Sequence, residues 1–122
     1  MEHIETQNYQ ERLNSFYKLP KNWDSYGADR PSDWAIEKSR ELIPLIYTSP
    51  AKVLPSSGDG GLTIKYKSKT SNRMAYILVF NDEQILLMLT DGVGHVTVKE
   101  EDTAQDLNRI IQEYLGGVCV GS

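Results

Sequence analysis

Arg73-Met-Ala-Tyr-Ile-Leu-Val-Phe80 runs into Asn81-Asp82-Glu83 and then Gln84-Ile-Leu-Leu-Met-Leu-Thr90. Two apolar runs flanking a short polar turn form the pattern of a β-hairpin. In the first run Met74, Tyr76, Leu78 and Phe80 share one side, and Ala75, Ile77 and Val79 the other. In the second, Leu86 and Met88 oppose Ile85, Leu87 and Leu89. A buried helix can carry a similar run, but the β-branched and aromatic content and the central Asn81-Asp82 favour strands. Both sides are apolar, which is the pattern of a sheet covered on both faces. The hairpin is therefore expected in the middle of the core.

Working outward, Leu62 to Lys67 alternates, with Leu62, Ile64 and Tyr66 predicted inward and Thr63, Lys65 and Lys67 outward. Lys52-Val53-Leu54 reads as a short strand, and Pro55 to Gly61 as a flexible connection rich in turn residues. After Asp91-Gly92-Val93-Gly94, the stretch His95 to Lys99 alternates again. Val96 and Val98 are expected inward there, and His95, Thr97 and Lys99 outward. The simplest connection of these strands is an antiparallel meander of four or five.

Helical patterns flank the sheet. Tyr9, Leu13, Phe16 and Tyr17 recur at helical spacing within Glu5 to Lys18, and Pro20 biases Leu19 away from helix. Ser32 reads as an N-cap for a second helix from Asp33 to Tyr47, with Ala35, Ser39, Leu42, Ile43 and Ile46 buried and a kink at Pro44. Asp102 with Gln105 resembles a capping box for a third helix. Its apolar face is Ala104, Leu107, Ile111 and Tyr114, with Ile110 and Leu115 beside them and Gly116 as a stop. The expected fold class is α+β, two N-terminal helices, the meander and one C-terminal helix. All 122 residues are expected to form a single domain. At this length folding removes roughly 65% of the unfolded chain's surface from water, enough for a self-sufficient core.

Composition narrows the function classes. A net charge of −4 carries no basic surplus for nucleic-acid binding, and no partner of that kind is expected. A single cysteine, Cys119, excludes an internal disulfide and fits a reducing compartment. The N-terminus shows no basic region followed by an apolar run, and no stretch reaches the ~18 apolar residues of a membrane span. The expectation is a cytoplasmic protein with no membrane role. His3, His95 and Cys119 lack metal-ligand spacing, and no Ser-His-Asp or Cys-His arrangement can be assembled. Gly92-Val93-Gly94 and Gly58 to Gly61 read as turns, not phosphate loops, because neither opens a helix. No catalytic residue, metal or cofactor is expected.

Two places could bind a partner. The loop Trp23-Asp24-Ser25-Tyr26 sets an aromatic pair around a carboxylate, able to hold a flat or cationic ligand. The same residues can equally pack the loop onto the core, with Gly27 supplying a positive φ. The outer sheet face is the second place. Lys65, Lys67, Lys99 and His95 could rim an apolar centre there, if three helices leave one face uncovered. That surface would take a protein partner or form a homodimer; helices on both faces would finish the burial instead.

Two segments together resemble a family of small bacterial proteins with no established activity. One is Leu19-Pro20-Lys21-Asn22-Trp23-Asp24-Ser25-Tyr26-Gly27-Ala28 followed by Pro31-Ser32 and a helix. The other is Val53-Leu54-Pro55 with Asp59-Gly60-Gly61-Leu62-Thr63-Ile64-Lys65-Tyr66. The family pattern has Gly where this chain has Ser25, and an acidic residue and Trp at a strand end where it has Lys65-Tyr66. The resemblance implies a bacterial or phage-encoded accessory protein. Three function classes stand open: a non-enzymatic protein-binding module of antitoxin, immunity or anti-defence type, a small-ligand binder using the Trp23–Tyr26 loop, and an enzyme with a carboxylate base such as Asp24. The last is disfavoured because an exposed Asp titrates near ~4 and is a weak base.

Overall fold

The computed structural model describes residues 2–20, 23, 29–46, 50–56, 60–93, 96–99 and 103–116, with backbone alone for 2–8, 99 and 116. It shows an α+β protein: helix α1 (Glu2–Phe16), helix α2 (Asp33–Leu42), five strands and helix α3 (Ala104–Gly116). The strands are β1 (Lys52–Pro55), β2 (Leu62–Lys67), β3 (Met74–Val79), β4 (Ile85–Thr90) and β5 (Val96–Lys99). Each pairs antiparallel with the next, in the order β1-β2-β3-β4-β5. The central hairpin pairs Val79 with Ile85 and Met74 with Thr90, as its two apolar runs require.

Its turn explains that register. The Glu83 N–H donates to the Phe80 carbonyl, and Glu83 takes a φ of 73°. A turn closed by one left-handed residue twists in the sense of the flanking strands. The Gln84 N–H then donates to Asp82 Oδ1 at 3.1 Å.

One side of the sheet is the core. Val53, Leu62, Ile64, Tyr66, Ala75, Ile77, Val79, Ile85, Leu87 and Leu89 are all buried and share a face by alternation. All three helices pack there, α1 against β1, α2 against β2 and β3, and α3 against β3. Tyr9, Leu13 and Phe16 from α1 complete the core with Ala35, Ile36 and Leu42 from α2 and Leu107, Ile111 and Leu115 from α3. Tyr17, expected in that set, is 36% exposed and donates to a Glu37 carboxylate oxygen, a hydrogen bond that raises its pKa.

The second helix is shorter than expected. The α-helix ends at Leu42 and a 3₁₀ turn, Ile43–Leu45, replaces the kinked continuation; Tyr47 lies outside the described residues. Pro44 has no N–H to give the Arg40 carbonyl and its ring crowds that turn, so α-helical bonding stops there. Ser32 does cap the helix, accepting from the Ala35 N–H at 3.0 Å. At α3 the cap is Thr103, one residue after the Asp102 expected, which lies outside the described residues. Thr103 Oγ1 accepts from the Asp106 N–H and donates to Asp106 Oδ2. That bond, with Arg109, holds the Asp106 carboxyl below its ordinary range. The far end of α3 meets the turn between β2 and β3. Ser68 Oγ and Arg73 Nη1 donate to the Leu115 and Tyr114 carbonyls, placing a cation at the negative end of the helix.

Candidate functional site

Among the described residues, no helix packs on the opposite side of the sheet. Register fixes its rows. Lys52, Lys65, Tyr76, Met88 and Val98 are partners in succession across all five strands. Leu54, Thr63, Leu78 and Leu86 form a second row, and Lys67, Met74, Thr90 and Val96 a third. None of these thirteen side chains is buried. Leu54 is 37% exposed, Val96 57% and Val98 56%. Two-sided cover, the first expectation from the doubly apolar strands, is therefore corrected: among the described residues only one face is covered by helices.

A second correction concerns β5. Val96 and Val98, expected inward, stand opposite Thr90 and Met88 on the open face. Alternation separates two sides of a strand, but pairing with the neighbour decides which side faces the helices. For the same reason Lys99 is registered with Leu87 and not with the row of Lys65. His95 lies outside the described residues. Lys65 and Lys67 are on the open face as expected, with Lys52 beyond them. The face is thus asymmetric, basic along β1 and β2 and uncharged along β3, β4 and β5.

The two sheet edges differ as well. On β1 the Arg12 Nε of α1 donates to the Val53 carbonyl at 3.0 Å, so the helix occupies that edge. A cavity of about 330 Å³ lies beside it, lined in part by Tyr9, Arg12, Lys52 and Leu54. β5 is the other edge, four residues long.

Of the loop candidates, Trp23 is half-buried and its Nε1 donates to the Asp29 carbonyl at 3.1 Å. Asp24 and Tyr26 lie outside the described residues. The segments around this loop and around Gly60-Gly61 converge on Asn81, which sequence reading assigned only to a turn. Asn81 Oδ1 accepts from the Ser32 N–H at 2.7 Å, and Asn81 Nδ2 donates to the Arg30 carbonyl at 3.1 Å. Gly60 lies against the same side chain, where an added Cβ would stand 2.3 Å from Nδ2. Gly61, at φ +97°, leaves 2.3 Å between such a Cβ and the Val79 carbonyl oxygen. The loop expected to be a flexible connection ends in two glycines packed against backbone and Asn81. Nothing in the spacing of Asn81 marked it, because its partners are about fifty residues distant.

Among the described residues no group of three His, Cys, Asp or Glu side chains is placed to hold a metal ion. No described helix is long and apolar enough to cross a membrane. The fold and face define a two-layer α+β protein with one open, mainly apolar sheet surface. Comparisons with protein-family models, curated proteins and solved structures each give no match.

Proposed function

We propose that this chain is a non-enzymatic protein-binding module, an accessory protein of bacterial or phage origin working in the cytoplasm, and that it docks through the open face of its sheet. The observation that carries the reading is the pair of rows Tyr76–Met88 and Leu78–Leu86, half-buried at the centre of five strands on the face with no described helix over it. A contiguous apolar patch rimmed by polar residues is the usual mark of a protein–protein surface. The net charge of −4 favours a protein over a nucleic acid as partner. An antitoxin, immunity or anti-defence protein that acts by occupying another protein needs a docking surface and no catalytic group.

The test is binding with and without the face. Affinity capture from a host lysate with the intact chain supplies a partner, which is then purified and titrated by calorimetry. Leu86→Glu and Met88→Glu should each weaken it at least tenfold, roughly 1.4 kcal/mol, while circular dichroism stays unchanged. Binding untouched by both substitutions rejects the face as the docking surface.

A further inference from the structure

Most arginines of this chain are engaged by acceptors of its own. Arg30, Arg40 and Arg109 pair with the carboxylates of Asp33, Glu37 and Asp106, and Arg73 donates to the Tyr114 carbonyl. Arg12 differs. Its Nε donates to the Val53 carbonyl at 3.0 Å and its guanidinium carbon lies 5.5 Å from the centre of the Phe16 ring. Neither terminal nitrogen meets an acceptor among the described residues, and the same arginine lines the cavity of about 330 Å³ beside β1. We propose that this cavity binds a small organic acid, one carboxylate on a compact apolar body, with Arg12 as the partner of the carboxylate.

A guanidinium has five N–H donors in a fixed fork, and the bond to Val53 uses only the one on Nε. What remains is the pair of terminal nitrogens, spaced to take both oxygens of one carboxylate. The Val53 carbonyl and the Phe16 ring hold the group in place before a ligand arrives, so less side-chain freedom is lost on binding. Lys52 also lines the cavity and makes no ion pair among the described residues, which adds a second positive charge. The rest of the lining is mainly apolar, with Tyr9 and Val53 buried and Pro50 and Leu54 beside them. Two cations next to an apolar wall suit a monoanion with a hydrocarbon body. Inorganic phosphate fits less well, because it gives up hydration and has nothing to lay on the wall.

Size agrees with this ligand, since small-molecule sites begin at roughly 300 Å³. An extended peptide is the other carrier of a carboxylate, and the edge of β1 opposes it. Arg12 already takes the Val53 carbonyl, and Pro55 has no N–H to give. A strand added at that edge would find two of its ladder partners missing. The site also stands apart from the docking face. Arg12 and Tyr9 belong to α1, on the helical side of the sheet, so neither reading depends on the other.

Titration of the full 122-residue chain with benzoate and with hexanoate, followed by amide shifts in nitrogen–proton correlation spectra, tests the proposal. Saturable shifts centred on Tyr9, Arg12 and residues 51–54 are expected, with a Kd of about 1 mM or tighter for acids of this size. Benzamide, the same shape without the charge, should bind at least tenfold more weakly than benzoate, as should inorganic phosphate. Arg12→Lys keeps the charge and loses the fork, and should weaken benzoate at least fivefold. Ala51 and Lys52 are exposed, so substitutions there keep the test intact if the arginine variant fails to fold. Lys52→Met should weaken benzoate several-fold, and Ala51→Trp, by filling the cavity, should abolish its binding. No saturable shift with either acid up to tens of millimolar overturns the site. Benzamide or phosphate bound as tightly as benzoate overturns the class of ligand. Benzoate bound equally well by Lys52→Met and Ala51→Trp overturns the cavity as its place.

Discussion

At the scale of single residues, Tyr66 carries the sharpest consequence. Its side chain is fully buried and its hydroxyl has no hydrogen-bond partner among the described residues. Burial, with Tyr9 nearby as a smaller influence, raises its pKa far above the ordinary 10.0. A phenol without a partner loses its water contacts on folding and gains nothing in return. Tyr66→Phe is therefore expected to leave stability at pH 7 equal or higher by about 1 kcal/mol, read by urea denaturation. The pH dependence has a definite sign. The unfolded chain ionises this phenol from about pH 10 upward while the folded chain keeps it neutral, so stability holds below pH 10 and falls above it. The phenylalanine variant should lose less over the same alkaline range. An equal alkaline loss in both proteins would show that Tyr66 does not titrate in this way.

At the scale of elements, what matters is how distant turns are tied together. Asn81 in the β3–β4 turn holds the Ser32 N–H and the Arg30 carbonyl just before α2, and Gly60 abuts it from the β1–β2 loop. One amide thus fixes where α2 starts over the sheet. Asn81→Ala would leave a backbone donor and a backbone acceptor unmatched in a half-buried place, a loss of about 2 kcal/mol. The thermal midpoint should fall accordingly, and Ser32→Ala in the same background should add little beyond its own capping loss of ~1 kcal/mol only if the two act separately. Stability unchanged on removing Asn81 would remove it as the tie. The polar contacts between helices repeat the theme: Arg40 donates to Gln10 Oε1 and to Asn14 Oδ1, joining α2 to α1.

For the whole molecule, the single helical layer makes the two faces of β3 unequal. Ile77 faces the helices and is fully buried, whereas Leu78 beside it lies half-buried on the open face. Ile77→Ala should lower stability by about 3 kcal/mol through lost burial and a residual cavity. Leu78→Ala in dilute chain should cost about 1 kcal/mol or less, because this side chain is only half-buried. Equal losses at both positions in dilute solution would mean that the open face is covered within one chain. The strands, their antiparallel order and the alternation of β2 and β3 were legible because period-two patterning is local and strong. The helices α1 and α3 were legible from period and caps, to within a few residues. Two features were not. Which parity of β5 faces the core depends on its register with β4, and Asn81 draws its partners from loops far away in the chain. The candidate loop around Trp23 was visible as a motif, but only coordinates place its indole on the Asp29 carbonyl. The amino-acid order by itself determined that an α+β meander with a doubly apolar central hairpin would form, since side chains alternate along any strand. Only the tertiary structure decided that all three helices lie on one face, because that choice follows from how the elements pack and leaves the other apolar face open.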